Sequence, residues 1–556
     1  MQVLARQDYI VFLIYFLIVA LYGWWVYRRK QSAATGVKDY FLAEGSLTWW
    51  AIGASLIASN ISAEQFIGMS GSGFKMGLAI ASYEWMSALT LIVVAVFFIP
   101  VYLKNKIYTM PQFLSRRYND TVSMIMAVFW LLLYVVVNLT SILYLGALAI
   151  NSISGINLHQ CMLGLAFFAI VIALGGMKVI GYTDVIQVFF LMLGGLVTTY
   201  LALSLVAEQE GGSGVFQGFT MMTTKAGDHF HMIFDKDNPN YMDLPGLSVL
   251  LGGLWIANLN YWGCNQYITQ RALGADLRTA RNGILFAAFL KLLMPLIVVL
   301  PGIAAYVLYN QDVFQTQMMQ GGEVNPDRAY PVLLNLLPTG LKGLSFAALT
   351  AAVVASLAGK INSIATIFTL DIYKKVMRPD ATEKHMVWIG KLTVVAGMLI
   401  AVVIAPHLGI DKKGGFQYIQ EYTGFVSPGI FAMFILGFFW KKTTANAALF
   451  ATIGGFILSV CLKFLPLVVN LSFLAPLGFS KDVGGGVYEI PFLDRMAIVF
   501  LLCVGVMYIM SVRAHRRGEQ PQGLEVDKRM FRPTPGFIAG SLIICGILVA
   551  LYTVFW

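Results

Sequence analysis

Predominantly apolar stretches of about 20 residues, each long enough to cross a bilayer as a helix, recur throughout this chain. They fall near 9–27, 48–70, 78–101, 121–149, 157–175, 184–206, 246–268, 282–308, 342–371, 387–406, 420–440, 444–465, 491–511 and 537–555. In hydrocarbon every backbone N–H and C=O must find its partner within the segment, so such stretches predict helices. The expected architecture is an all-α integral membrane protein of about 14 transmembrane helices. Of the 556 residues, 58% are hydrophobic and 12% charged, against about 25% charged in a soluble domain. The net charge of +10 is scattered as short clusters beside the apolar stretches, which reads as cytoplasmic loop charge rather than a nucleic-acid surface.

The gaps between stretches orient them. If odd-numbered gaps face the cytoplasm, that side collects Arg28, Arg29, Lys30, Lys38, Lys104, Lys106, Arg116, Arg117, Lys178, Arg271, Arg278 and Arg281. It also collects Lys374, Lys375, Arg378, Lys384, Lys441, Lys442, Arg513, Arg516, Arg517, Lys528, Arg529 and Arg532, making 24 of the 38 basic residues. Only Lys412–Lys413 break the alternation. Both termini are therefore expected to be extracytoplasmic. No basic run precedes the first apolar stretch, which reads as a retained helix and not a cleaved signal. The five cysteines, Cys161, Cys264, Cys461, Cys503 and Cys545, show no metal or disulfide spacing and read as small hydrophobes. Asp228-His229-Phe230-His231 falls in a long outer loop; a metal site there is conceivable and an ordinary loop is favoured.

Two of the apolar stretches are interrupted. Ser59-Asn60-Ile61-Ser62-Ala63-Glu64-Gln65 breaks the second, and Asn258-Leu259-Asn260-Tyr261-Trp262-Gly263-Cys264-Asn265-Gln266 breaks the seventh. Paired breaks in two halves of a hydrophobic chain point to a transporter's substrate site. The remaining polar residues at membrane depth are few: Tyr83, Glu84 and Ser87, then Asp184, Lys291, Ser356, Lys360, Asn362, Gln420 and Glu421. Neutral amides with one acid and one lysine suit an uncharged polyhydroxylated substrate, because each hydroxyl and each amide both donates and accepts. A carboxylate such as Glu84 adds the stronger charge-assisted bond. Tyr83, Tyr261 and Phe416 are candidates to stack on or gate a sugar. For Asn138 and Asn362, helix–helix hydrogen bonding is the favoured role.

The stretches Ala54–Glu84, Trp85–Ser87, Asn138–Gly146, Tyr182–Phe190, Gly252–Arg271 and Phe416–Gly429 resemble the sodium/solute symporter family, in its bacterial sugar-transporting branch. The resemblance implies a LeuT-type core of two inverted five-helix repeats, here 48–206 and 246–440. A first helix and loop (1–47) precede them, an extracytoplasmic loop (207–245) joins them, and three accessory helices (441–556) follow. It also implies import of a neutral hexose of the galactose or glucose type by sodium symport through alternating access, in a bacterial inner membrane. Sugar contacts would be Asn60, Gln65, Glu84, Ser87, Asn258, Lys291 and Gln420. Tyr261 would form the inner gate, and Met69, Tyr83 and Phe416 the outer one. Sodium would take the carbonyls of Ala58, Ile61 and Ala352 and the hydroxyl of Ser356, with Asp184 near its exit path.

The chain departs from the family pattern at two places. Ala355 stands where the family has a second hydroxyl, and Lys360 where it is apolar. Lys360 lies one turn beyond Ser356 on the same helical face, and helical side chains lean toward the N-terminus. Its ammonium is expected to approach the cation site, Asp184 or the carbonyls of the second span. A tethered cation there would replace sodium and leave a proton-coupled transporter or a uniporter; a water-solvated lysine is the plainer alternative. A membrane sensor finds little room in the short basic segment after 511. No paired catalytic acids, HExxH or GxxxxGK[ST] motif supports an enzyme or an ATP-driven pump.

Overall fold

The computed structural model of the chain describes residues 4–30, 47–62, 64–320, 322–407 and 415–556. Three of the loop charges used for orientation, Lys38, Lys412 and Lys413, lie outside the described residues, as do the side chains of Arg29, Lys30, Glu64 and Lys178. The described chain is helical apart from two short hairpins, Met319–Gln320 with Glu323–Val324 and Lys481–Asp482 with Tyr488–Glu489. Among the described residues, 10 helices are long and apolar enough to cross a membrane, or up to 11 if the pair Phe416–Gly424 and Ser427–Phe439, bent by 55°, is one span. The expected number was larger. The difference lies at 48–70, 157–175 and 246–268. The first is broken after Asn60, the second is the 16-residue helix Leu158–Ala173, and the third runs as Ser248–Leu251, Gly253–Gly263 and Gln266–Leu273. Long apolar helices with lipid-type surfaces make this a multi-pass membrane protein. Arg6–Lys30, for example, exposes Leu13, Leu17 and Leu21.

The chain forms two compact units, each discontinuous in sequence. One comprises residues 4–81, 131–231 and 282–419 within the described chain. Its axis is Leu341–Thr366, prolonged by a π-helical segment Ile367–Met377. Burial of 94% of its most apolar window makes this the most enclosed span of the protein. It packs against Arg6–Lys30, Trp49–Asn60, Thr140–Ser154, Leu158–Ala173, Gly176–Gln209 and Glu383–Ile404. Apolar burial drives little between helices that could equally face lipid, so small residues that admit close backbones matter most. Leu341–Thr366 is accordingly rich in Ala, Gly and Ser. At the crossing of Trp49–Asn60 with Leu277–Asn310, a Cβ on Gly53 would stand 2.7 Å from Gly283 O. Only glycine permits that approach.

The other unit comprises 82–130, 232–281 and 420–556. Ser82–Val93 packs on Gly253–Gly263, and Ser427–Phe439 on Phe492–Arg516. Phe98, Tyr102, Phe113, Phe434 and Phe438 form one aromatic cluster. Beside it the buried Arg117 guanidinium donates to the carbonyls of Gly437, Trp440, Lys441, Thr443 and Gln522. It thereby ties the end of Ser427–Phe439 to the segment that follows Phe492–Arg516. Burial of a charge is tolerated here because its five donors all find acceptors.

Candidate substrate and cation site

Helix Trp49–Asn60 ends at Ile61, whose backbone turns extended (φ −75°, ψ 95°), and the chain resumes as a π-helix, Glu64–Met69. Two hydrogen bonds are redirected there. Ser62 N approaches Gln65 Oε1 at 3.5 Å instead of closing on Ala58 O, and Gln65 N bonds Ser62 O at 3.2 Å instead of Ile61 O. The Ala58 and Ile61 carbonyls thereby leave the helical ladder. Both face Ser356 Oγ, at 3.2 and 3.4 Å. Ser356 is fully buried, and Ala352 lies buried one turn earlier on the same helix. A serine hydroxyl has one proton, so it serves one of the two carbonyls at a time. Two carbonyl oxygens and a hydroxyl oxygen converge there, the kind of oxygen donors that a hard monovalent cation takes as ligands.

The same break presents side chains. Lys291, fully buried on Leu277–Asn310, donates its ammonium to Asn60 Oδ1. This orients the Asn60 amide, with its oxygen as the accepting end. Gln65 and Met69 follow on the π-helical segment, both buried. Met69 adjoins Gly68, and a Cβ on Gly68 would stand 2.8 Å from Phe416 N. Two of the three expected outer-gate residues, Met69 and Phe416, are thus on elements in direct contact. Asp184 is buried on Gly176–Gln209 and accepts from Ser55 Oγ at 2.7 Å. Ser55 sits one turn before Ala58, so the acid is attached to the helix that carries the freed carbonyls. Lys360, 3% exposed, holds its ammonium 4.9 Å over the ring of Tyr134. Tyr134 belongs to a π-helical segment, Leu133–Leu139, and no reading of the sequence singled it out. A cation–π contact of this kind partly offsets the cost of a buried ammonium.

In the second unit, Ser87 Oγ lies 2.6 Å from Asn258 Oδ1 and 2.7 Å from Tyr83 O, and Asn258 Nδ2 donates to Leu254 O at 3.1 Å. Ser87 and Asn258, two of the expected sugar contacts, are therefore brought together. Tyr83 and Glu84 are buried on the same helix as Ser87. Tyr261 follows three residues after Asn258, its ring edge-on to Trp262 at 5.1 Å. Asn260 points elsewhere: Nδ2 donates to Ser427 Oγ at 3.2 Å, across the bend that follows Gln420. Glu421 accepts from Lys463 at 3.2 Å and Arg495 at 3.3 Å, with Glu489 closing the network onto Lys463. It is held by ion pairs, whereas its neighbour Gln420 is neutral.

Asp228, His229 and Phe230 of the tetrapeptide lie in a short turn, Gly227–Phe230, within the first unit. His229 stacks on Tyr306 at 3.9 Å, and its Nε2 lies 3.1 Å from Phe74 O. Gly77 (φ +72°) admits this docking, since a Cβ there would stand 2.2 Å from His229 O. Burial pushes the His229 imidazole below its ordinary pKa, against the Phe74 carbonyl and Asp228, which act upward. His229 thus has a packing partner that its sequence neighbourhood did not announce.

Comparison with known proteins follows the same lines. The sequence model of the sodium:solute symporter family matches residues 40–455. The chain is 48% identical over 563 aligned positions to the sodium/glucose cotransporter of Vibrio parahaemolyticus, covering 100% of this chain and 99% of that one. It is 32% identical to the sodium/myo-inositol cotransporter 2 of Oryctolagus cuniculus, over 91% of this chain and 77% of the relative. Among solved structures, the substrate-bound outward-open state of a sodium-coupled sialic acid symporter aligns with a TM-score of 0.74 at 20% identity. That alignment covers 94% of this chain and 100% of the other. At that identity the likeness is one of fold, the LeuT type that the resemblance implied.

Proposed function

The chain belongs to the sodium:solute symporter family, and from that premise we propose that it imports a neutral hexose of the galactose or glucose type by sodium symport through alternating access. Sodium is cargo, taken by the carbonyls of Ala58, Ile61 and Ala352 and the hydroxyl of Ser356. Asn60, Gln65, Glu84, Ser87, Asn258, Lys291 and Gln420 bind the sugar. Tyr261 closes the inner side, and Met69, Tyr83 and Phe416 the outer. Residues 48–206 and 246–440 form the two inverted repeats, in a bacterial inner membrane with both termini outside.

One observation carries the coupling. The break that turns the Ala58 and Ile61 carbonyls toward Ser356 also presents the Asn60 side chain to Lys291. A cation drawn to those carbonyls fixes the backbone of residues 58–61, and with it the amide that donates to the sugar. Each ligand thus stabilises the segment geometry the other needs, and that reciprocity is the thermodynamic content of coupling. Asp184, bonded to Ser55 on the same helix, offers the ion its next acceptor once the carbonyls release it.

A second reading rests on one helix. Ala355 removes a hydroxyl from beside Ser356, and Lys360 keeps a buried ammonium one turn away, against Tyr134. If the lysine supplies the charge that sodium supplies elsewhere, uptake is proton-coupled or facilitative. Uptake of labelled galactose and glucose into proteoliposomes, with sodium replaced by choline, separates the readings. Symport requires uptake that saturates with sodium; uptake indifferent to sodium favours Lys360, and a Lys360→Met, Ala355→Ser double variant should then gain sodium dependence. Hexose binding without any uptake would mark a sensor.

A further inference from the structure

Gln417 stands in the first turn of Gly415–Gly424 and is 7% exposed, yet neither its Oε1 nor its Nε2 has a hydrogen-bond partner among the described residues. A primary amide has two donor hydrogens and two acceptor lone pairs. Leaving all four unmet in a buried position of a membrane protein is costly, and groups of this kind mark function in native structures. Its surroundings say which function. The preceding residue, Phe416, brings its backbone against Gly68, between Gln65 and Met69 on the π-helical segment Glu64–Met69. Gln420, already a proposed sugar contact, follows three residues later in the same helix. The backbone bearing Gln417 therefore touches the segment that bears one proposed sugar contact and one proposed outer-gate residue.

We propose that Gln417 is a further sugar-contacting residue, donating from Nε2 to one hydroxyl oxygen of the hexose and accepting at Oε1 from the adjacent hydroxyl. An uncharged group that both donates and accepts fits a vicinal diol, and has no net charge with which to select an ion. This rests on the hexose reading above and adds to it a residue that reads two specific hydroxyls. The amide would be an expense in the sugar-free protein that the sugar removes.

That balance makes the test unusual. Gln417→Met keeps length and removes both polar functions. In reconstituted full-length protein, its melting temperature without sugar should rise above wild type, because an unsatisfied buried amide is gone. The stabilisation added by galactose or glucose should fall. Affinity for the parent hexose should drop about tenfold, which equals about 1.4 kcal/mol. Across a panel of monodeoxy hexoses, the two analogues lacking the hydroxyls that Gln417 reads should lose little or nothing. Gln417→Glu, which keeps length and acceptors, should retain discrimination at one hydroxyl only, and serves if the Met variant is not recovered. A lower sugar-free melting temperature with unchanged sugar affinity, or an equal loss across the whole panel, overturns the proposal. Wild-type protein that neither binds nor takes up any hexose would overturn the hexose reading itself, a result visible before any variant is made.

Discussion

The two helix breaks look alike in sequence and differ in what holds them. Around the second, side chains close the backbone: Tyr102 Oη donates to Gly263 O at 2.7 Å, Asn265 Oδ1 accepts from Tyr267 N at 3.1 Å, and Gln266 Oε1 accepts from Met110 N at 2.8 Å. Gln266 Nε2 goes on to Gln270 Oε1 at 3.2 Å. At the first, two freed carbonyls share the single proton of Ser356. A break whose polar groups are met by fixed side chains is a piece of architecture. We propose that a break which gathers carbonyl and hydroxyl oxygens, as the first does, is one that a cation completes. The proposed substrate and gate residues of the second interruption, Asn258 and Tyr261, accordingly precede the part that Asn265 and Gln266 hold.

Substitutions at the two breaks should separate these roles, the largest effect first. Gln266→Leu strands the buried Met110 N–H and takes a donor from Gln270. It should cost about 3 kcal/mol of stability, the upper end for one unsatisfied buried group, seen as a lower melting temperature. The protein that survives should keep its sodium requirement. Ser356→Ala should do the reverse, raising the sodium concentration for half-maximal uptake about tenfold, or about 1.4 kcal/mol, with little change in sodium-free stability. Tyr102→Phe removes one hydrogen bond and should cost about 1 kcal/mol of stability with no effect on sodium. If Gln266→Leu moved the sodium requirement, or Ser356→Ala lowered sodium-free stability by as much, the contrast between the breaks would be wrong.

Much of this was legible beforehand because a bilayer leaves a chain few options. Stretch length and apolarity placed the long helices, and the interruption at 59–65 fell where the structure breaks. Periodicity could say that Ser356 and Lys360 share a helix face. It could not say that Tyr134 covers the lysine, since one helix's period is silent about its neighbours. The pairings Lys291–Asn60 and Ser87–Asn258 join residues 231 and 171 positions apart; both ends were chosen on chemistry, and their contact required the fold. The expectation of 14 spans exceeds the helices that qualify by length because 48–70 and 246–268 were counted as spans despite their polar interruptions, and 157–175 despite the shortness of its helix. A polar interruption shows in the sequence, but how much of the helix on either side of it stays continuous does not. Gln417 was passed over for a related reason. Polar residues are common in a segment of mixed composition such as Phe416-Gln417-Tyr418-Ile419-Gln420, and only its burial without a partner distinguishes it.

The smallest effect concerns the far end of the first break. Ser70–Met76 continues the interrupted helix, and His229 caps its Phe74 carbonyl. A carbonyl only accepts, so Nε2 carries the proton in the neutral ring that stacks on Tyr306. With the folded pKa lowered from 6.5 by burial, the unfolded chain binds the extra proton more readily than the folded one. The stability His229 contributes is thus fully present above about pH 6.5 and is lost as pH falls from there through the lower folded pKa. His229→Gln retains an N–H for Phe74 but does not titrate. The melting temperature of wild type should fall relative to that variant between pH 7.5 and 5, and the hydrogen exchange of residues 227–230 should rise. If the docked turn also sets how far Ser70–Met76 moves, the wild-type sodium requirement will shift over the same pH range while that of His229→Gln stays flat. A shift of equal size in both proteins would place the pH response elsewhere, and would leave the first break governed by Ser356 alone.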